Sequence, residues 1–313
     1  MATKKILKTA LPLLIGSTLV WYSLSKISIE VLYNYFKEAN YNWIFLGLFF
    51  GILSHLSRAY RWKFMLAPIG FKPKFSNNVL AVLVGYLVNL AIPRAGEVSR
   101  ALVLTNYEDV PFEKGFGTII AERIADLIMM LCIVAITLFV QFDFICQLLV
   151  KNLDLPKVTI GLIGLSLVFF VFTSLVKRAK KGFLLKIKTF IAGLVEGLTS
   201  IFKMKNKWAF IFHTVFIWVM YVAMFWATIP AINGLEVPFG AVLIGFIAGG
   251  FAIAATNGGI GLYPIAVAGA FSLFNIPEIP SEAFGWIMWT AQTAMVVVFG
   301  GIAFLLLPII NKK

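Results

Sequence analysis

The sequence predicts an all-α protein, a polytopic transmembrane helix bundle with two broken or re-entrant helical hairpins. Of its 313 residues 60% are hydrophobic and only 13% are charged, with a mean hydropathy of +0.92. Soluble domains carry about 25% charged residues, so the composition indicates a membrane protein. Apolar runs recur along the whole chain, and two of them are interrupted midway by glycine, proline and polar residues.

Six apolar segments reach the roughly 20 residues that a helix needs to cross a bilayer. They are the segments at about 9–25, 42–62, 116–141, 158–176, 208–231 and 284–309. The first follows three lysines as a signal peptide would, but no A-x-A-type cleavage site comes after it, so we interpret it as a retained helix. The polar stretches are too short for a globular module. We therefore expect one integral membrane domain over residues 1–313.

The two interrupted segments are 78–105, broken at Pro93–Gly96, and 239–275, broken at Asn257–Gly261 and Pro264. An open backbone in hydrocarbon has no water to bond, so such a break persists only where it is buried in protein or lines a cavity. Each segment is either a re-entrant hairpin or a pair of short spans. A matched pair of interrupted segments is typical of transporters with an inverted repeat, which is an interpretation from hydropathy alone.

The basic residues fall in alternate loops. Of 27 lysines and arginines, twenty lie on one side of the predicted map and four on the other, with three arginines left in apolar segments. The positive-inside rule then places both termini in the cytoplasm. The same rule accounts for the net charge of +13, so the charge does not have to indicate nucleic-acid binding. In residues 182–202 apolar residues recur at helical spacing and lysines flank the stretch, which predicts an amphipathic helix on the cytoplasmic leaflet or a linker helix packed on the bundle.

Catalytic and metal chemistry find little support in the residue types. The chain has two cysteines, Cys132 and Cys146, without zinc or redox spacing, and two histidines. Nothing in the sequence resembles the clustered acidic residues with which metal-dependent enzymes build or cut phosphodiesters. We expect no cofactor, no metal and no enzymatic activity.

The first charged group is Asn89, Arg94, Glu97 and Arg100, around the break at Pro93. If a helix begins after Pro93, its three charges share one face and its N-terminus presents N–H groups to an anion. Guanidinium forks suit phosphate and carboxylate oxygens. The group is either an anionic headgroup site or a self-neutralised cluster of ion pairs at the interface.

The second group, Glu122, Arg123 and Asp126, lies early in the span 116–141. Charges within a span usually face the bundle interior. These residues could pair with Arg94 or Arg100, or bind a cation or a proton. The alternative is that they lie within a turn of the cytoplasmic surface and are solvated.

A third group, His55, Arg58, Arg61 and Trp62, closes the span 42–62. One interpretation is a positive-inside anchor with an interfacial aromatic residue. The other is that Arg58 and Arg61 form the cytoplasmic mouth of a site for a lipid phosphate.

The fourth group is the glycine-rich stretch of the second interrupted segment, with Asn257, Gly258 and Gly259. Glycines let the backbone approach a ligand or another helix closely, and their N–H groups could contact phosphate oxygens. The alternative is a tight turn with a packing role. No Lys-Ser/Thr follows, which excludes a Walker-type loop.

Taken together, these residues resemble a known family, the flippase-like or lysylphosphatidylglycerol synthase transmembrane-domain family. The resemblance covers nearly the whole chain and rests on the order of its motifs. Those motifs are Arg61-Trp62, Asn89-x-x-x-Pro93-Arg94-x-Gly96-Glu97-x-x-Arg100, Glu122-Arg123-x-x-Asp126 and Gly258-Gly259-x-Gly261.

The resemblance implies a bacterial or archaeal inner-membrane protein that moves modified phospholipids or polyisoprenoid-linked lipids between leaflets. In the full synthases this domain precedes a soluble aminoacyl-transferase domain. None follows Lys313, so the resemblance gives no support for synthesis of lysyl-lipid. Many members carry a Glu shortly after the Gly-Gly-x-Gly turn where this chain has Pro264, which favours an anionic or glycosylated headgroup over a cationic one.

The function predicted from the sequence is therefore translocation of a phospholipid or a lipid-linked substrate across the inner membrane. Two alternatives stay open, a membrane enzyme that transfers a headgroup or sugar to a lipid and a transporter of small solutes or ions. The expected partner is membrane lipid and not nucleic acid, and a homo-oligomer is compatible with the sequence.

Overall fold

The structure is a computed structural model that describes residues 17–152, 170, 174, 185 and 204–312. Every regular element in these ranges is helical, and they contain no strand. The helices are α1 (17–26), α2 (Ile29–Glu38), α3 (Tyr41–Leu66), α4 (Phe75–Ala91), α5 (Ala95–Glu108), α6 (Phe112–Val140), α7 (Phe142–Asn152), α8 (Lys207–Thr228), α9 (Phe239–Ala255), α10 (Leu262–Ser272) and α11 (Glu278–Ile310). Short 3₁₀ turns at Ala67–Ile69 and Ile229–Ala231 extend α3 and α8.

The prediction of an all-α polytopic bundle is confirmed. Four helices are long and apolar enough to cross a membrane, at Tyr41–Ile69, Phe112–Val140, Lys207–Ala231 and Glu278–Ile310. They match four of the six predicted spans. Of the predicted span 9–25 only the part from residue 17 is described, and it is helical. The predicted span 158–176 and the amphipathic stretch 182–202 lie outside the described residues, apart from the isolated positions given above.

The chain forms two compact units, Met1–Glu122 with Trp208–Lys313, and Arg123–Lys207. The first unit contains both interrupted segments. The second contains the C-terminal part of α6 together with α7. The prediction of a single integral membrane domain stays a prediction.

Both interrupted segments are helical hairpins. Helix α4 packs along α5, and α9 packs along α10. The four arms have 17, 14, 17 and 11 residues, fewer than the roughly 20 that a bilayer requires. Near the start of α4, Asn77 Nδ2 donates to the carboxylate of Glu108, the last residue of α5, at 2.5 Å. Both ends of the first hairpin therefore lie together, and its short arms favour a re-entrant hairpin over a pair of full spans.

The long helix α11 runs beside both hairpins and fixes their orientation. Near its N-terminus a Cβ added at Gly285 would lie 2.5 Å from Cα of Pro264 in the second hairpin. Further along, a Cβ at Gly300 would lie 2.7 Å from Leu87 Cβ in the first hairpin. Asn311, which follows α11, donates to Asn77 at 2.9 Å. The second hairpin therefore packs on the N-terminal half of α11 and the first on its C-terminal half, so the two enter from opposite ends.

Aromatic packing holds the second hairpin in place. The Phe225 ring of α8 lies 6.2 Å from that of Phe271 and 5.1 Å from that of Phe284, measured between centroids. All three side chains are fully buried. In lipid there is little hydrophobic gain from bringing helices together, so dispersion contacts of this kind supply the stabilisation.

The N-terminal part of the described chain is tied to α11 by polar contacts. Ser23 donates to the Glu282 carboxylate and accepts from Trp286 Nε1 at 3.0 Å. The Lys26 ammonium donates to Glu278 at 2.5 Å, and this hydrogen bond raises the pKa of Lys26 above its usual value. These contacts place the end of α1 beside the start of α11.

Candidate functional site

A carboxylate surrounded by three arginines lies inside the first unit. Arg100 Nη1 and Nη2 donate to Oε1 and Oε2 of Glu122, each at 3.1 Å. Arg58 Nη1 lies 2.5 Å from Glu122 Oε1, and Arg61 Nη2 lies 3.3 Å from the same oxygen. The side chains of Arg58, Arg61, Arg100 and Glu122 are 2%, 0%, 3% and 0% exposed. We call these four residues the Glu122 cluster.

Three helices supply the cluster. Arg58 and Arg61 are three residues apart on α3 and so project from one face. Arg100 comes from α5, the second arm of the first hairpin, and Glu122 from α6. The Arg100 stem passes over α4 at Gly85, where an added Cβ would lie 2.6 Å from its Cγ. A small residue at that position is therefore required for Arg100 to reach Glu122.

Other side chains orient the guanidinium groups. The Arg100 guanidinium lies over the Trp62 ring, 4.3 Å from the ring centroid, which is within the range of a cation–π contact. Trp62 Nε1 in turn donates to Thr118 Oγ1 at 2.8 Å. Arg61 Nη1 donates to Thr214 Oγ1 on α8 at 2.9 Å. The cluster is thus held by four helices of the first unit.

Burial of this many charges is expensive unless they are paired. An ion moved from water into a protein interior loses several kcal/mol of solvation, and contact with opposite charge offsets that loss. Within the Glu122 cluster three guanidinium groups contact one carboxylate. Guanidinium forks also match the oxygens of phosphate.

The tip of the first hairpin is a tight turn at residues 92–94. Arg94 has a left-handed backbone (φ 65°) and its side chain is exposed, and α5 begins only at Ala95. The N–H of Gly96 donates to Asn89 Oδ1 at 2.7 Å, and Asn89 Nδ2 lies 3.5 Å from Glu97 Oε2. Asn89 therefore caps the helix that follows the turn.

The prediction that Arg94, Glu97 and Arg100 share one face is wrong for Arg94. Pro93 and the left-handed Arg94 turn the chain before the helix starts, so Arg94 lies outside the helical register. Arg100 is buried at the Glu122 cluster while Arg94 is exposed at the tip. The expected free N–H groups are also partly used, because Asn89 occupies that of Gly96.

The tip of the second hairpin is built from glycines with left-handed backbones. Gly258 and Gly259 have φ of 67° and 83°, a region that side chains with a Cβ disfavour. The Gly258 carbonyl accepts from Trp289 Nε1 of α11 at 2.8 Å. Asn257 Nδ2 donates to the Leu90 carbonyl, near the end of α4, at 3.0 Å. The two hairpin tips therefore meet, close to the middle of α11.

Arg123 and Asp126 belong to the second unit, where Arg123 Nη1 lies 3.7 Å from Asp126 Oδ2. Glu122, predicted in the same group, lies in the first unit and is fully buried, so the alternative that it is solvated is wrong. Arg58, Arg61 and Trp62 are likewise buried, which excludes the interpretation of a solvent-facing anchor with an interfacial aromatic residue.

The sequence reasoning missed three polar side chains that adjoin these arginines. They are Thr214, Tyr86 and Tyr221. Each is a lone hydroxyl in an apolar run, a signal that is visible in the sequence but common in transmembrane helices. Among the described residues no three histidine, cysteine or acidic side chains come together as a metal site would require.

Comparison with known proteins gives two matches. The family described as "Lysylphosphatidylglycerol synthase TM region" matches residues 9–301. The UPF0104 membrane protein MJ1595 of Methanocaldococcus jannaschii is 23% identical over an alignment of 349 positions, which covers 99% of this chain and 98% of that protein. No solved structure shows significant similarity to the chain.

Proposed function

Because the chain belongs to the lysylphosphatidylglycerol synthase transmembrane-region family, we propose that it moves a membrane lipid with an anionic headgroup between the leaflets of the inner membrane. The lipid is a phospholipid or a polyisoprenoid-linked lipid. Its headgroup crosses through the protein while its chains stay in hydrocarbon. The protein thereby lowers the cost of taking a charged group through an apolar layer.

The meeting of the two hairpin tips is the observation that carries this proposal. Asn257 in the second tip donates a hydrogen bond to the Leu90 carbonyl near the end of α4, beside the first tip. The arms of both hairpins are too short to cross a bilayer alone. Non-helical backbone at this depth is tolerated where it is buried or lines a water-filled cavity. In transporters of inverted topology the substrate site lies where such broken helices meet.

The Glu122 cluster supplies the charge for headgroup recognition in this proposal. Arg100 lies on the re-entrant hairpin and is bound to Glu122 through two hydrogen bonds. A lipid phosphate offers the same pair of acceptor oxygens and competes with Glu122 for that guanidinium. Exchange of partners would release the hairpin arm from α6 and let the headgroup pass. We further propose that the lipid leaves chemically unchanged and that movement is downhill or coupled to protons.

Arg94 gives the cleanest variant for a test, because it lies exposed at the tip. In proteoliposomes of phosphatidylethanolamine and phosphatidylglycerol, we expect wild-type protein to speed leaflet exchange of labelled lipid over protein-free vesicles. Arg94→Gln should reduce that rate at least about tenfold, the equivalent of one lost charge-assisted contact of roughly 1.4 kcal/mol or more, without lowering the melting temperature.

Lys63→Gln is the matched control, since Lys63 is an exposed cation on α3 outside the Glu122 cluster. It should leave exchange within a factor of two. Mass spectrometry of the recovered lipid should show no change in mass. Wild-type exchange no faster than that of empty vesicles, for each anionic phospholipid and polyisoprenyl phosphate tried, would reject lipid translocation, and a mass change would favour a membrane enzyme.

A further inference from the structure

A cavity of about 200 Å³ lies between α3, α4 and α11 in the first unit. Each of the three helices contributes three of its nine lining residues, among them Ile52, Leu83, Met295 and Val296. The lining residues are apolar except for His55 and Tyr86. The walls therefore suit hydrocarbon and not a polar solute.

The cavity reaches the surface of the bundle. Leu56 and Phe299 line it and are also exposed, and both belong to helices that are long and apolar enough to span the membrane. An opening between such residues faces the acyl chains of the bilayer, because apolar side chains on a spanning helix are solvated by lipid. Hydrocarbon can enter from the side without passing through water.

His55 and Tyr86 lie next to each other in the cavity lining. His55 is 8% exposed, its ring lies 4.4 Å from that of Tyr86, and its Nε2 has no hydrogen-bond partner among the described residues. A buried polar atom without a hydrogen-bond partner carries a free-energy cost. That cost would be recovered if a bound molecule brought an ester or hydroxyl oxygen to the imidazole.

From His55 and Tyr86 a line of polar contacts leads to the Glu122 cluster. The hydroxyl groups of Tyr86 and Tyr221 lie 3.1 Å apart. Arg58 Nη2 lies 3.5 Å from the Tyr221 hydroxyl, and Arg58 Nη1 contacts Glu122. His55 and Arg58 are also one helical turn apart on α3. Along this line the residues change from apolar at the cavity, to neutral and polar at the two tyrosines, and then to charged at Arg58.

This succession matches the parts of an amphiphile with an anionic headgroup, a chain first, then an ester or hydroxyl region, then a phosphate. We propose that the cavity binds the hydrocarbon chain of such a lipid, with its oxygen-bearing linkage at His55 and its phosphate toward Arg58. The inference rests on the proposed function and specifies how the substrate is held. Moving a methylene group from the surrounding lipid into the cavity contributes little to the free energy of binding, because both environments are apolar. Selectivity therefore comes from the headgroup, while the cavity sets the position of the chain.

Photo-crosslinking tests the proposal directly. The probe is phosphatidylglycerol with a diazirine near the end of one acyl chain, in vesicles of phosphatidylethanolamine and phosphatidylglycerol that contain the full-length protein. We expect labelled peptides to concentrate at Ile52, Leu83 and Met295. Val296→Trp, which fills the cavity, should lower this labelling about tenfold, a difference of roughly 1.4 kcal/mol in occupancy.

Leu305→Trp is the matched control, because Leu305 is on the same helix, is 66% exposed and does not line the cavity. It should leave labelling within a factor of two. If Val296→Trp lowers the melting temperature, Val296→Phe replaces it as the milder filling. Labelling spread evenly along α11, or unchanged by either filling, overturns the proposal.

A second probe carries the same chain on diacylglycerol, which lacks the phosphate. It should label the cavity residues about tenfold less, and equal labelling would show that Arg58 does not anchor the ligand and would overturn the inference. Crosslinking requires binding but not transport. Concentrated labelling in a protein without leaflet exchange therefore defeats the proposed function alone, whereas exchange without concentrated labelling defeats this inference alone.

Discussion

At the scale of the residue, Glu122 of α6 is the carboxylate that pairs with arginines from two other helices, α3 and α5. Its two oxygens accept from Arg100 in a bidentate pair and also contact Arg58 and Arg61. A buried ion pair contributes little net stability when it forms, but removal of one partner leaves the other uncompensated. Glu122 is therefore more critical than any of the three arginines, because its loss leaves three buried cations facing one another.

Replacement of Glu122 by Gln keeps the shape and removes the charge. We expect Glu122→Gln to lower the free energy of unfolding by about 3–5 kcal/mol, the range for a broken buried pair. Thermal unfolding in detergent, followed by tryptophan fluorescence, measures the change. Glu236→Gln is the control, since Glu236 is exposed in a loop and should stay within about 0.5 kcal/mol of wild type. Equal effects of the two substitutions would contradict the described pairing.

At the scale of the element, the two hairpins are made possible by residues that reverse the chain inside an apolar layer. Pro93 and the left-handed Arg94 do so in the first hairpin, and Gly258 and Gly259 in the second. Side chains satisfy open backbone groups at each turn. In the first, Asn89 accepts from the Gly96 N–H and Asn257 donates to the Leu90 carbonyl, and in the second, Trp289 donates to the Gly258 carbonyl. Unsatisfied groups there would each cost several kcal/mol.

Gly258→Ala tests the second turn. At φ of 67° an added Cβ is strained and would lie 3.2 Å from Leu90 Cδ2, so we expect a loss of about 1–2 kcal/mol. Gly301→Ala is the matched control, because no atom lies within 4 Å of its added Cβ and alanine favours helix by up to about 1 kcal/mol. Melting temperatures should move in opposite directions. A stable Gly258→Ala protein would mean that this turn is not left-handed.

At the scale of the whole molecule, the opposed hairpins and the distribution of basic residues give one topology. Arg58 and Arg61 were counted among the cytoplasmic charges, but both are buried. Without them the bias is eighteen to four, so the orientation predicted from the loops is unchanged. This orientation predicts that the base of the first hairpin, beside Asn311, faces the cytoplasm and that of the second faces the outside.

Cysteine labelling in intact cells checks this topology, with Cys132 and Cys146 first replaced by serine. Lys74→Cys and Glu113→Cys flank the first hairpin at exposed positions, and we expect both to be shielded from a membrane-impermeant maleimide until the cells are opened. Glu236→Cys and Asn275→Cys flank the second hairpin, also exposed, and should react at once. Opposite reactivity within either pair would show that the segment crosses the membrane.

The amino-acid sequence alone predicted the fold class, four of the spans that the structure describes and both interruptions. Each of these depends on local composition, namely the length of an apolar run or the presence of glycine and proline within it. It also indicated that Arg100 and Glu122 lie in membrane segments, because charges there stand out against an apolar background.

Which charges meet is set by tertiary packing. Arg58 and Arg61 end an apolar span and follow the pattern of an interfacial anchor, yet packing of α3 against α8 and the first hairpin buries both beside Glu122. Arg94 fits a helical spacing with Glu97 and Arg100, but a left-handed backbone removes it from that face. Ion pairing depends on contacts between residues far apart in sequence, which periodicity does not encode.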